Sequence, residues 1–113
     1  MSDPPSTNKR LVMLEALTGR GSTDPFAWYG LGMEYKNLHR LEDAKMAFQR
    51  LRETESGYLA GYYMGGQVLV ELGCFAEARE WFERGLVLAR EQGNPKTESE
   101  IQEALVELGD RGR

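Results

Sequence analysis

Apolar and polar positions alternate along this chain with the period of a helix, not of a strand. Between Asp24 and Leu51, Trp28, Leu31, Gly32 and Tyr35 fall at i, i+3, i+4 and i+7, one face of an α-helix. Ala44, Phe48 and Leu51 mark a second helix at i, i+4 and i+7. The pattern returns thirty-four residues later. Trp28 recurs as Tyr62, Tyr29 as Tyr63, Gly32 as Gly66, Leu38 as Leu72, Ala44 as Ala78 and Phe48 as Phe82. A fixed period of this size marks a stacked-repeat architecture, in which each unit buries its apolar face against the next.

Turn chemistry divides the chain at the same intervals. Asp24-Pro25 and Asn94-Pro95 each pair a capping side chain with a proline at the first helical position, where its missing N–H is not needed. Asn37, Leu38 and His39 make one inter-helix turn, and Gly73 makes its counterpart. Three glycines, Gly61, Gly65 and Gly66, interrupt a helical pattern at a cost of about 1 kcal/mol each. Close helix packing on Gly65 and Gly66 is the reason expected. The reading is a single domain over residues 9–108. It has a leading helix 9–18, repeats 24–57 and 58–92, and a capping helix 95–108, six helices in all. Residues 1–8 read as a disordered tail and residues 109–113 as frayed.

The residues resemble the tetratricopeptide repeat, whose pattern is W-x2-L-G-x2-Y, then A-x3-F, then P. The first copy matches at Trp28, Leu31, Gly32, Tyr35, Ala44 and Phe48, with Ser56 near the expected proline. The second matches at Gly66, Ala78 and Phe82, with Tyr62, Gly65 and Leu69 replacing the tryptophan, leucine and tyrosine. The resemblance implies an all-α fold, a right-handed superhelical stack of helix-turn-helix units. With a two-residue insertion, Ile101, Leu105 and Leu108 continue the stripe, while Glu98 and Gln102 stand at the aromatic and glycine positions. Such a polar outer face ends a stack, as a terminal cap must for solubility.

A second stripe lies around the first helix of each pair from the core stripe. Phe26, Tyr29, Met33 and Lys36 fall at i, i+3, i+7 and i+10, followed by Asn37; Tyr63, Gln67 and Val70 are counterparts in the second copy. In tetratricopeptide proteins this side lines the concave groove, where an extended peptide or helix lies. The resemblance therefore implies a peptide-binding groove of Phe26, Tyr29, Met33, Lys36, Asn37, Tyr63, Gln67 and Val70. Apolar anchors of this kind imply an affinity that depends weakly on salt. Family co-chaperones clamp acidic chaperone tails with lysine, asparagine and arginine on these helices. Tyr29, Met33, Tyr63 and Gln67 do not repeat that pattern.

Composition narrows the chemistry. The chain is 41% hydrophobic and 28% charged, as in globular domains, and no apolar run approaches a membrane span. The first ten residues hold no signal-peptide core, so a cytoplasmic location is expected. The net charge of −4 falls in the second half, which disfavours nucleic acid as a partner and, with the aromatic-glycine pattern, disfavours a helical RNA-reading repeat. Cys74 and His39 are the only residues of their types. They sit in turns of different repeats, so neither a disulfide, a cysteine–histidine nucleophile nor a metal cluster is expected. No cofactor is implied.

The sequence thus points to a non-catalytic scaffold or adaptor that binds a partner peptide or helix. The alternative is a structural homo-oligomer, for example a homodimer, self-associating through its apolar leading helix. The leading helix is apolar from Leu11 to Leu17 except at Glu15, more than one packed face requires. Leu11, Val12 and Ala16 are the expected self-association residues.

Overall fold

A computed structural model describes residues 5–113, with side chains described from Lys9 onward. Six α-helices follow one another: α1 Pro5–Gly19, α2 Pro25–Asn37, α3 Leu41–Thr54, α4 Leu59–Glu71, α5 Phe75–Glu91 and α6 Pro95–Leu108. No strand is present among the described residues. Helix therefore already covers residues 5–8 of the stretch read as a tail; residues 1–4 lie outside the described part.

The caps form as their chemistry dictates. The Asp24 carboxylate accepts from the Phe26 N–H at 3.0 Å, and Asn94 Oδ1 accepts from the Thr97 N–H at 3.1 Å. Each satisfies a donor that the first turn of a helix leaves free. His39 takes φ 58°, a left-handed conformation that a non-glycine residue rarely adopts, where the second repeat uses Gly73 at φ 79°.

Within each repeat, glycine on the first helix receives an aromatic ring from the second. A Cβ on Gly32 would lie 2.8 Å from the Phe48 ring, and a Cβ on Gly66 would run into Phe82 in the same way. Gly65 is covered by Trp81, and Gly61 by Leu51. Ala44 and Ala78 are wholly buried, with Phe48 and Phe82 beside them in one continuous core. The glycines thus trade helix propensity for close helix approach.

The repeats are also tied to their linkers. Trp28 Nε1 donates to the Ser22 carbonyl at 2.9 Å, and thirty-four residues on, the Tyr62 hydroxyl donates to the Ser56 carbonyl at 2.7 Å. Different side chains at one repeat position make one and the same bond.

Helix neighbours set the curvature. Among the described residues α2 touches α4 and α4 touches α6, whereas α1, α3 and α5 make no comparable contact with one another. The face made by α2, α4 and α6 is therefore the tighter, inner one.

Beyond α6, the chain end makes contacts with α5. Arg79 Nη2 donates to the carbonyls of Gly109 and Arg111, the latter at 2.8 Å. The Arg111 guanidinium lies 4.9 Å from the Phe75 ring centroid. Gly112 lies so close to the Phe75–Ala76 backbone that no side chain fits there.

Candidate functional site

The inner face carries the second stripe. Tyr29 is half-buried on α2, its ring 5.3 Å from that of Tyr58 and 6.2 Å from that of Phe48. Met33 packs beside it against the core. Phe26 stands 71% exposed at the start of α2, an unusual position for a phenylalanine. Lys36 and Asn37 close the other end of the helix, the first half-buried and the second exposed. These five residues share one helix, but Phe26 and Asn37 lie at its opposite ends.

On α4, Tyr63, Gln67 and Val70 are half-buried and in line. Burial pushes the Tyr63 phenol above its usual range, and the nearby charges of Glu100, Glu103 and Glu107 on α6 push it the same way. Tyr29 is raised too, first by burial and then by Tyr58. A buried phenol that titrates high stays neutral and offers an O–H donor. Gln67 and Val70 open onto a cavity of about 310 Å³ between α4, α5 and α6, floored by Phe82, Ala104 and Leu108.

Two features of this face escaped the sequence reading. Tyr58 stands at the repeat position of the capping Asp24; in the fold its ring lies tilted against Tyr29, the planes 37° apart. The sequence reading gave the α6 carboxylates Glu100, Glu103 and Glu107 no role on this face. Carrying the stripe one repeat further, from Met33 through Gln67 to Glu103, would have found them.

The leading helix departs from expectation at one position. Leu11 is buried at 7% exposure together with Leu14 and Thr18, because positions 11, 14 and 18 share the face turned to α2. It is not available for self-association. Val12 and Ala16 are exposed, as are Met13 and Leu17.

Among the described residues no group of histidine, cysteine and carboxylate side chains could hold a metal ion, and no helix is long and apolar enough to cross a membrane. Cys74 is a free, partly buried thiol.

No family model matches the sequence. The chain is 32% identical over 100 residues to a TPR repeat-containing protein of Pseudomonas aeruginosa, covering 88% of this chain and 94% of the relative. Two solved structures of a tetratricopeptide repeat domain protein from Salinibacter ruber superpose on it. The solution NMR structure has a TM-score of 0.71 at 31% identity, covering 76% of this chain and 87% of that one. The crystal structure has a TM-score of 0.71 at 32% identity, covering 75% and 94%.

Proposed function

Because the chain belongs to the tetratricopeptide-repeat family, whose members are generally non-catalytic interaction modules, we propose that it is a scaffold or adaptor that binds a partner peptide or helix along the face of α2, α4 and α6. One observation carries this reading. Phe26, Tyr29, Met33 and Tyr63 occupy the inner stripe, and Phe26 is left 71% exposed. Aromatic side chains are not needed there for solubility, and such surfaces are commonly covered by a partner. Tyrosines anchor interfaces with little loss of conformational freedom, and methionine adapts to irregular contacts.

The test is to isolate a partner by pull-down and titrate it against wild type, Tyr29→Ala and Tyr63→Ala. Each substitution is expected to cost roughly 1–2 kcal/mol or more in binding. Circular dichroism melts would show that both variants remain folded. Equal affinity for all three proteins would remove the inner face from the interaction.

A second reading is self-association through α1, favoured by the exposure of Val12 at 62%, Met13 at 55% and Leu17 at 41%. Light scattering across a concentration series tests it. A monomer at the highest concentration reached would refute it.

A further inference from the structure

The two halves of the inner face differ in charge. On α2 the stripe ends at Lys36, and the acid beside it, Glu34, is occupied by Arg10 at 3.0 Å. The α4–α6 half carries Glu71, Glu100, Glu103 and Glu107. None of these four enters an ion pair among the described residues. One cation, Arg111, lines the same cavity as Glu71 and Glu107 but pairs with no carboxylate among the described residues. It donates to the carbonyls of Leu108 and Glu107 at 3.1 and 2.7 Å and lies against Phe75. Lys96 lies at the opposite end of α6 from Glu107.

Two of these carboxylates, Glu71 and Glu107, line a partly apolar opening. Glu71 and Glu107 stand at the mouth of the cavity of about 310 Å³ whose floor is Phe82, Ala104 and Leu108. Glu103 and Glu107 also flank Val106, which is 80% exposed. The cavity is thus lined by two carboxylates, Glu71 and Glu107, and one guanidinium, Arg111, and the α4–α6 half as a whole keeps an excess of negative charge.

We infer that the occupant of the α4–α6 half of the groove is a basic segment of a partner protein, with one large apolar side chain between lysines or arginines. The apolar side chain enters the cavity over Phe82 and Leu108. The flanking cations meet Glu71 and Glu107 at its mouth and Glu103 further along α6. Binding then falls as salt rises, because exposed charge pairs are screened. This replaces the weak salt dependence expected of purely apolar anchors. The inference rests on the groove reading above and adds the chemistry of the partner to it.

Selection of random peptides displayed on phage against the full chain tests it. Two variants are selected in parallel, Tyr63→Ala and the triple substitution Glu71→Gln, Glu103→Gln, Glu107→Gln. The expected result is enrichment of lysine and arginine around a single large apolar residue. Enrichment should be lost on the triple variant, and a selected peptide made synthetically should bind that variant roughly tenfold more weakly than wild type at low salt. The difference should shrink at high salt. Neutral or acidic selected sequences that still require Tyr63 would overturn the charge inference and leave the groove reading standing. Basic sequences that bind Tyr63→Ala as well as wild type would overturn the groove reading for this half. No enrichment over background would overturn both. Self-association of the chain that the triple variant abolishes would assign the site to a second copy and overturn a separate partner. Melting curves of both variants establish that folding is not the cause of any loss.

Discussion

The two repeats fill the same space with opposite choices. In the first, Leu31 lies on α2 and Ala47 on α3, both buried. In the second, the equivalent positions are Gly65 on α4 and Trp81 on α5. The Trp81 ring lies directly over Gly65, where even a Cβ would collide with it. Large-then-small has become small-then-large. The ring also approaches Tyr62, with centroids 5.8 Å apart, and is covered by the Arg52 guanidinium, which pairs with Glu80 at 2.7 and 2.9 Å. Total volume is what a close-packed interior conserves, so neither departure from the repeat pattern is a defect by itself.

A double-mutant cycle would break this comparison most sharply. Trp81→Ala is expected to cost roughly 3–5 kcal/mol, because the glycine opposite cannot fill the cavity. Gly65→Leu alone should cost about 1–3 kcal/mol or more through collision with the ring. The double variant recreates the arrangement of the first repeat and should be more stable than the sum of the single costs by at least about 1 kcal/mol. Denaturant melts of the four proteins measure this. Additive losses would mean that the two positions do not compensate each other.

The linker bonds give a smaller contrast. Tyr62→Phe removes one hydrogen bond to the Ser56 carbonyl and should cost about 1 kcal/mol. Trp28→Phe removes the corresponding bond to Ser22 and also shrinks a buried ring, so its cost should be larger. Equal melting shifts would show that the hydrogen bond alone sets both.

The smallest effect concerns a group with no counterpart in the second repeat, where Leu69 replaces Tyr35. The Tyr35 hydroxyl donates to Glu15 on α1 at 2.5 Å. Burial, followed by that bond, pushes its pKa to about 12. The folded state thus holds the phenolic proton more tightly than the unfolded chain, whose value is 10.0. The associated stability is complete below that value and is lost as pH rises towards 12. Wild type should therefore lose more melting temperature over this range than Tyr35→Phe. Parallel losses in the two proteins would contradict the raised pKa.

Much of this fold was legible because its local and long-range signals coincide. The thirty-four-residue recurrence of Gly32 and Gly66, Ala44 and Ala78, Phe48 and Phe82 identified the helix pairs. Asp24-Pro25 and Asn94-Pro95 placed the helix starts. The proposed groove was legible in part. Its aromatic stripe has a helical period, whereas Tyr58 and the α6 carboxylates reach the same face from other elements.

What the sequence alone determined is therefore periodic: which residues share a helix face, where each helix begins, and that a polar-faced helix follows the second repeat. What only the tertiary structure decided is pairwise between distant elements. It turned Leu11 inward and left Met13 and Leu17 outside, laid Trp81 on Gly65, brought the chain end against α5, and brought three glutamates around Tyr63. The physical reason is that a helical period assigns a residue to a face by neighbours a few positions away. What covers that face depends on how helices cross, and crossing is settled by volumes and charges contributed from separate parts of the chain.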